Sequence, residues 1–423
     1  LLQAAAAIGR RFDPGLLASV AGQPDETGAA LHRLQDNDII YREADSSDYA
    51  FRHVLLRDCV YQSLLSDRRA ELHLAIAEAL EARNHNRLTE TAEALAYHYA
   101  QTNRAVQAFT YAAMAGTKSL GMFSLGEADR YFAAAFALYE RDPSCVTEAR
   151  LAAFLADYAL CSNLSLRAKA MEELAAKVRP FFRRQGDSLH HALFLHHLVA
   201  CLICDARYLA AIDVRQDLSD MAARLGDPVS RAYAIVSEIA LSCYCQPFTN
   251  AEFAARRAEA ERLLAEIDDA YLQNYFWAHL GWDKICRGRV LEANEAADRM
   301  MDIGLRQNDP RSLGYGTAMK ALTALCTDDY ETALAMSEQA LKVSRVEFET
   351  AIAAASRHAS LVPLGKPGAA AEVRRFVDTC AANGWTMFSS GPEIMLGVAL
   401  AMEGRIGEGL AHIEAVIKRR ESE

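Results

Sequence analysis

Apolar and polar positions change their spacing several times near the start of the chain. Apolar residues three and four positions apart predict short helices over residues 1–8, 14–21 and 25–36. Apolar and polar residues then alternate in IIYREADSSDYAFRH, which predicts two short strands around a polar turn at 45–47. Three helices followed by a β-hairpin form the pattern of a winged helix, so residues 1–65 are predicted to form a small winged-helix segment with a short β-wing.

The helical spacing then continues to the end of the chain, and no later stretch resembles a strand. A connecting helix is predicted over 66–87, and helical repeats over 88–423. The repeat is marked by a small residue followed by bulkier ones four and seven positions later, at intervals near forty residues. This period predicts about eight helix pairs. The small residues that mark the repeats are Ala128, Ala211, Ala293, Ala333, Ala369 and Gly409.

The clearest repeat lies in WAHLGWDK followed by ANEAADRM. Trp277, Leu280 and Gly281 match the W-x2-L-G pattern of a tetratricopeptide repeat (TPR), and Ala293 and Ala297 fall where the second helix needs small side chains. Small residues allow the two helices of a pair to approach closely. The period exceeds the usual 34 residues of a TPR. The predicted fold is therefore an all-α, TPR-like α-solenoid behind the winged-helix segment.

Composition and charge restrict the class of partner. The chain has 423 residues, of which 52% are hydrophobic, and its formal net charge is −11. No stretch reaches the roughly 20 apolar residues of a membrane span, and the start has no signal-peptide pattern. Residues 1–65 contain six Arg and no Lys against nine acidic residues, which opposes the phosphate contacts of DNA binding. We therefore expect no membrane insertion and no direct nucleic-acid partner.

The ten cysteines occur at irregular positions rather than in a disulfide framework. Cys161, Cys286 and Cys326 lie in apolar helical contexts, so they are predicted to be reduced core thiols. Reduced thiols indicate the cytoplasm.

One helical stripe carries residues that bind zinc in other proteins. His190, His197, Cys201 and Cys204 lie 7, 4 and 3 positions apart, and three of them could serve as ligands for Zn²⁺. The alternative is an inward helix face packed by Cys and His. Because zinc sites usually draw ligands from two separate segments, we prefer the packing interpretation and predict no metal site.

Known catalytic motifs are missing from the sequence. A phosphate-binding Walker A loop requires G-x4-G-K-[ST], but the Gly365-Lys366 pair is followed by Pro367. No G-x-S-x-G, H-E-x-x-H or G-x-G-x-x-G motif occurs in a suitable context either. We predict that this chain has no enzyme activity and no cofactor of its own.

The first 81 residues carry a family resemblance. LLQAAAAIGRRFDPGLLASVAG and FRHVLLRDCVYQSLL, followed by RRAELHLAIAEALE, resemble the C-terminal winged-helix and TPR-like region of bacterial STAND-type ATPases, most of all those fused to class III adenylate/guanylate cyclase domains. The resemblance implies an upstream P-loop ATPase, which binds ATP or ADP with Mg²⁺, and an output domain that makes cyclic AMP. Because the chain begins at Leu1 in mid-helix, we expect it to be the C-terminal portion of such a protein.

A nucleotide-sensing role follows from the same resemblance. His53-Val54-Leu55-Leu56 is similar to the His-Asp-Leu-Leu of the Met-His-Asp motif in NB-ARC ATPases, with Val54 in place of the Asp. In that family the His faces the β-phosphate of ADP. His53 is thus a candidate phosphate contact with the upstream ATPase domain, and the alternative is a His that caps the helix beginning at Val54.

A candidate binding groove is predicted from one helix face. Tyr271, Tyr275, His279 and Trp282 fall at spacings of four and three, on the face turned away from the Leu-Gly packing side. In TPR arrays this face lines the concave groove, so these residues are candidate contacts for a protein, peptide or small-molecule signal. The alternative is that the rings pack against the neighbouring repeat.

The predicted function is a regulatory sensor arm of a signalling ATPase, with oligomerisation possible on activation. A LuxR-type transcription activator and a plain TPR interaction scaffold are the alternatives. A cyclase would lie before this chain, whereas a LuxR DNA-binding domain would follow residue 423. The polar ending IKRRESE favours the first.

Overall fold

The computed structural model describes residues 1–22, 24–245, 248–383 and 385–422. The chain divides into two compact units, Leu1–Leu151 and Ala152–Glu423.

The first unit begins with the predicted helices and hairpin. The helices are α1 (Leu2–Ile8), α2 (Pro14–Ala21) and α3 (Pro24–Asp36), and the hairpin strands are β2 (Ile40–Arg42) and β3 (Tyr49–Phe51). One strand was not predicted: β1 (Arg11–Phe12) pairs antiparallel with β3, which gives the sheet the order β1-β3-β2. A two-residue strand between helices is too short to show an alternating pattern.

The core of this segment extends beyond the sheet. It includes Phe12, Ile40 and Phe51 and also Leu72 and Ile76. The last two belong to α5 (Ser66–Arg83), which follows α4 (Val54–Gln62). The helix predicted as a connector therefore buries its apolar face in the N-terminal core, while the domain boundaries at 65 and 87 stay predictions.

The first unit continues with a 3-10 turn at Leu88–Thr91, then α6 (Ala92–Tyr99), α7 (Ala105–Gly121) and α8 (Leu125–Arg141). A second 3-10 turn follows at Pro143–Cys145. A Cβ at Gly116 would lie 2.6 Å from the Phe132 ring, so α7 and α8 approach closely through a glycine.

Among its described residues, the second unit contains helices and the turns that connect them, without a strand. Its helices α9 to α22 follow one another with short connections, and α9 begins just before the unit boundary. Counted from α7, the described residues contain eight consecutive pairs, which confirms the predicted all-α, TPR-like fold. The bounds are α9 Glu148–Leu164, α10 Ala168–Gln185, α11 Leu189–Cys204, α12 Tyr208–Leu225, α13 Pro228–Ser242, α14 Asn250–Leu264, α15 Ala270–Cys286, α16 Val290–Gln307, α17 Pro310–Leu325, α18 Tyr330–Val343, α19 Glu347–Leu361, α20 Ala369–Asn383, α21 Thr386–Met402 and α22 Ile406–Ser422.

The residues that mark the repeat all lie on the second helix of a pair and are buried. Close packing explains why they are small. A Cβ at Gly409 would overlap the Gly397 carbonyl oxygen and lie 3.0 Å from Ala401 N on the first helix of the pair. The first helix has a glycine at the same crossing, since a Cβ at Gly397 would lie 2.5 Å from Ile413 Cγ1.

Aspartates define where several first helices begin. Asp227, Asp269 and Asp309 cap α13, α15 and α17, each by accepting a backbone N–H of the first turn. Pro228 and Pro310 occupy the first helical position, where the missing N–H costs nothing. These caps fix the starts of the helices that line the site described below.

The cysteine prediction is partly wrong. None of the ten cysteines, all of which lie in the described part of the chain, forms a disulfide, and Cys161 is buried. Cys286 and Cys326 are exposed, because they lie at the C-terminal ends of α15 and α17, where the chain leaves the packed layer.

Within the described residues, no helix is both long and apolar enough to span a bilayer.

Candidate functional site

A cavity in the second unit is lined by the first helices of successive pairs. The space between its lining atoms, including the open mouth, is about 510 Å³. The lining side chains come from α9, α11, α15, α17 and α19, and one comes from the turn that follows α13. They are Asn163, Leu164, Ile203, Cys204, Tyr244, Tyr271, Asn274, Tyr275, His279, Arg311, Tyr315, Phe348 and Glu349.

Three of the four residues predicted for the groove line this cavity. The rings of Tyr271 and Tyr275 stack with centroids 5.8 Å apart, and the Tyr275 and His279 centroids are 4.3 Å apart. Trp282 lies behind the wall, where its Nε1 donates a hydrogen bond of 3.1 Å to the hydroxyl of Tyr315. The stripe is half-buried or buried, so its rings both pack against neighbouring helices and face the cavity.

A chain of hydrogen bonds fixes the position of Tyr271. Asn163 Nδ2 donates to the Tyr271 hydroxyl at 2.8 Å, and this hydroxyl lies 3.2 Å from His196 Nε2. His196 Nδ1 lies 2.8 Å from Ser237 Oγ, which itself donates to the Tyr233 carbonyl. Since Ser237 uses its proton there, His196 Nδ1 carries the hydrogen and Nε2 accepts from Tyr271. The network therefore orients one wall of the cavity.

The histidines beside the cavity carry no charge at neutral pH. Burial lowers the pKa of His196 to about 3 and that of His279 to about 4. His279 Nδ1 donates to the Tyr275 carbonyl at 2.8 Å, so its Nε2 is an acceptor.

One end of the cavity contains charged side chains that the sequence analysis missed. Arg311 is buried, and its Nη2 atom lies 3.4 Å from Asp309 Oδ2. Its guanidinium lies 4.8 Å from the centroid of the Tyr271 ring. Glu349 is buried on the next first helix. Burial raises the pKa of Glu349 to about 8, and the nearby Arg311 opposes that rise.

Three of the lining residues have a buried polar atom without a hydrogen-bond partner in the described part of the chain. These atoms are Asn274 Oδ1, Arg311 Nε and Glu349 Oε2. The residues are only 3%, 4% and 2% exposed. A buried polar atom without a partner costs about 1–3 kcal/mol, so such atoms are rare in folded proteins. Three such atoms at one cavity make it a candidate ligand site.

The repeat period contains a signal that could have located the missed residues. Tyr275 and Tyr315 are 40 positions apart, and Arg311 and Glu349 are 38 positions apart. Both intervals are close to the repeat period: Tyr275 and Tyr315 are each the sixth residue of their helix, and Arg311 and Glu349 both lie in the first turn of theirs. Superposing the repeats on the predicted stripe would have drawn attention to them.

The stripe considered for zinc is part of the packed interior. His197 Nδ1 lies 3.5 Å from Asn163 Nδ2, and its ring centroid is 5.1 Å from that of Tyr271. Burial raises the pKa of Cys204 to about 12 and that of Cys201 well above its usual value, which disfavours the thiolate that binds metal. His190, the second residue of α11, is partly buried. Among the described residues, no group of three or more His, Cys, Asp or Glu side chains could hold a metal ion.

His53 lies in the first unit, directly before α4. The helix begins at Val54 as predicted, and the His53 backbone is extended at the N-cap position. Its side chain is exposed and makes no capping hydrogen bond. The ring is thus accessible to solvent.

Comparisons with known proteins identify a similar fold. No protein-family model matches the chain, and no curated protein matches it in sequence. In three dimensions it is similar to the crystal structure of a Signal Transduction ATPase with Numerous Domains (STAND) protein with a tetratricopeptide repeat sensor from Pyrococcus horikoshii. The TM-score is 0.54 and the sequence identity is 11%, with 99% of this chain covered. The chain spans 64% of the length of that protein. At this identity, the similarity shows the fold alone.

Proposed function

We propose that this chain is the non-catalytic sensor arm of a multidomain STAND-type ATPase. The observation that carries the proposal is the cavity on the first helices, where three buried polar atoms have no hydrogen-bond partner among the described residues. A TPR-like array with such a cavity has the architecture of a receptor for a signal. The similarity in fold to a STAND protein with a tetratricopeptide repeat sensor supports this interpretation.

The proposed mechanism couples the cavity to domains upstream in a longer protein. In the absence of signal, the helices and hairpin of residues 1–65 act as a winged helix that docks on a P-loop ATPase with bound ADP and Mg²⁺. The exposed ring of His53 donates to the nucleotide phosphate there. Signal binding in the second unit releases this inhibited state, and the output is a cytoplasmic class III cyclase that oligomerises on activation.

The experiment uses the complete protein encoded by the gene. ATP hydrolysis and formation of cyclic AMP are measured with the complete protein and with a version that lacks residues 152–423. We expect the complete protein to hydrolyse ATP and the deletion to change the basal rate of cyclic AMP formation. A complete protein without ATPase activity would contradict the proposal. Activity confined to transcription from a promoter, with a DNA-binding domain after residue 423, would favour the LuxR-type alternative.

A further inference from the structure

The cavity also indicates the chemical class of the signal. Resting on the proposed sensor function, we propose that the cavity binds a small organic amine in its protonated form. Its ammonium group would lie at Glu349 and Asn274, and its apolar body would lie against the aromatic wall.

The polar atoms at the charged end of the cavity favour a ligand group that donates hydrogen bonds over one that accepts them. Two of the three unpartnered atoms, Asn274 Oδ1 and Glu349 Oε2, accept hydrogen bonds when the carboxyl is ionised. An ammonium group offers three donors and no acceptor, so it satisfies both. The third atom, Arg311 Nε, is a donor to which an ammonium offers no acceptor, although the guanidinium is ion-paired with Asp309 through Nη2.

The formal charges lead to the same conclusion. Asp309, which lies outside the lining, is ion-paired with Arg311, and Glu349 is the acidic side chain among the lining residues. A cation beside ionised Glu349 leaves the site without net charge. An anion would add an uncompensated negative charge in a buried place, where charges are costly.

The aromatic wall suits a cation. The Arg311 guanidinium lies over the Tyr271 ring, so one ring of the wall already has a positive group on its face. Tyr275, Tyr315 and Phe348 offer further ring surface, and the Tyr315 and Phe348 centroids lie 5.3 Å apart. Rings arranged in this way bind ammonium groups by cation–π attraction and cover an apolar body.

Binding of an amine should release a proton. The groups that act on Glu349 are Arg311 and Tyr315 on α17 and Asp309 at the N-cap of α17. The other elements that line the cavity bring the titratable side chains Cys204, Tyr244, Tyr271, Tyr275 and His279. Because the pKa of Glu349 is raised to about 8, its carboxyl is mostly protonated at pH 7 in the empty cavity. An ammonium at this position stabilises the ionised form, so the carboxyl proton leaves to solvent. The affinity should rise by up to about tenfold per pH unit between pH 6 and 8. It should fall again near pH 10, where an alkylamine loses its own proton.

The experiment is isothermal titration calorimetry of the purified chain with three matched probes. These are 2-phenylethylamine, the neutral 2-phenylethanol and the anionic 3-phenylpropionate. Each is titrated at pH 7 in phosphate and in Tris, whose ionisation enthalpies differ. We expect the amine to bind at least tenfold more tightly than the other two. The difference in its binding enthalpy between the buffers should correspond to the release of nearly one proton.

Substitution of Glu349 tests whether the proton released on amine binding comes from its carboxyl group. Glu349→Gln keeps the side-chain volume and removes the charge, so it should lower amine affinity at least tenfold and abolish the buffer dependence. Glu347→Gln makes the same change at an exposed position of the same helix, outside the cavity lining, and should alter neither. If Glu349→Gln does not fold, the unmodified chain still tests the proposal, because the three probes and two buffers measure its preference for an amine and the proton release.

Several outcomes would overturn this inference. Equal binding of amine and alcohol, tighter binding of the carboxylate, or amine binding without proton release would each do so. These outcomes are independent of the sensor proposal, because calorimetry uses the chain without an ATPase domain. A complete protein whose output responds to a signal, although the cavity rejects amines, would refute the amine assignment alone. Amine binding to a chain whose complete protein has no ATPase activity would refute the sensor role alone.

Discussion

Asn163 donates a hydrogen bond of 2.8 Å from Nδ2 to the hydroxyl of Tyr271, a residue 108 positions later in the chain. The contact joins α9 to α15 within the second unit. The same hydroxyl also bonds His196 on α11, so one phenol oxygen links three first helices of the array.

The first prediction concerns this hydroxyl. Tyr271→Phe removes it and leaves both Asn163 Nδ2 and His196 Nε2 without this partner, so we expect a loss of about 1–3 kcal/mol in the free energy of unfolding. Urea denaturation measures the loss. Tyr330→Phe is the control, because that hydroxyl bonds Asp328 at the surface, and its effect should stay within about 0.5 kcal/mol. Equal stability of the two variants would show that the network contributes nothing.

A second prediction concerns a helix crossing at the C-terminal pair. Gly397→Ala places a Cβ 2.5 Å from Ile413 Cγ1 and 2.8 Å from the Gly409 carbonyl oxygen. Overpacking against backbone should cost about 1–3 kcal/mol, seen as a lower melting temperature. Gly407→Ala on α22 meets no atom within 4 Å, and it should be neutral or stabilising by up to about 1 kcal/mol. A stable Gly397→Ala variant would mean that α21 and α22 do not approach so closely.

A third prediction separates binding from packing in the aromatic stripe. The double variant Trp282→Ala, Tyr275→Ala removes one ring that lines the cavity and one that supports Tyr315. We expect the response of the complete protein to its signal to be lost, together with a lower melting temperature, since both rings are partly buried. Thermal melting and signal-dependent output are measured on the same preparations. A sharply lower melting temperature with a normal response of the folded fraction would refute the groove assignment.

A fourth prediction follows from two buried histidines in the first unit. The Nδ1 atoms of His73 and His98 lie 2.8 Å apart, and His73 Nε2 lies 2.9 Å from the Tyr61 hydroxyl. Burial lowers the pKa of His73 to about 4, with added repulsion from Arg69 and Arg57, and that of His98 to about 3.

The unfolded chain binds more protons than the folded chain between the unfolded histidine pKa of about 6.5 and these lowered values. The free energy of unfolding should therefore fall as the pH falls through this window, by at most about 1.4 kcal/mol per pH unit for each histidine. His98→Asn should reduce this dependence, whereas His85→Asn at an exposed position should not. Denaturation curves between pH 7 and 4 provide the measurement. Parallel pH profiles for all three proteins would contradict the prediction.

The fifth prediction tests nucleotide sensing by His53. Its side chain is exposed and makes no capping bond, so His53→Ala should leave the stability of the chain within about 0.5 kcal/mol. In the complete protein the same substitution should weaken ADP binding and raise the basal output, because a phosphate contact is lost. Unchanged ADP affinity and basal output would rule out the role. A clear loss of stability in the chain itself would point to a structural role instead.

Local patterns in the sequence were sufficient for the helices and for the repeat. Apolar spacing places the starts of α2 and α4 at Pro14 and Val54, where the structure has them. The small residues of the repeat fall on the second helices because only small side chains fit where paired helices touch. Such information is local, since burial of one helix face requires a period of 3.6 residues wherever the helix lies.

The stripe of Tyr271, Tyr275 and His279 was also readable from the sequence, because its members share one helix. Its surroundings were not. Arg311 follows Pro310 at a helix start, where a charged residue is ordinarily exposed, and Glu349 lies in a first turn that favours acidic residues anyway. Neither position looks buried from its own neighbours in sequence.

The sequence by itself thus determined where the helices form and where the repeat places its small residues. Only the tertiary structure decided that Asn163, Asn274, Arg311 and Glu349 meet at one cavity. It also placed β1 in the sheet and left Cys286 and Cys326 exposed. The physical reason is that secondary structure responds to the periodicity of nearby residues, whereas burial of a charge depends on which first helices stack side by side. That stacking sums many packing contacts between residues tens of positions apart, and no single segment of the sequence records it.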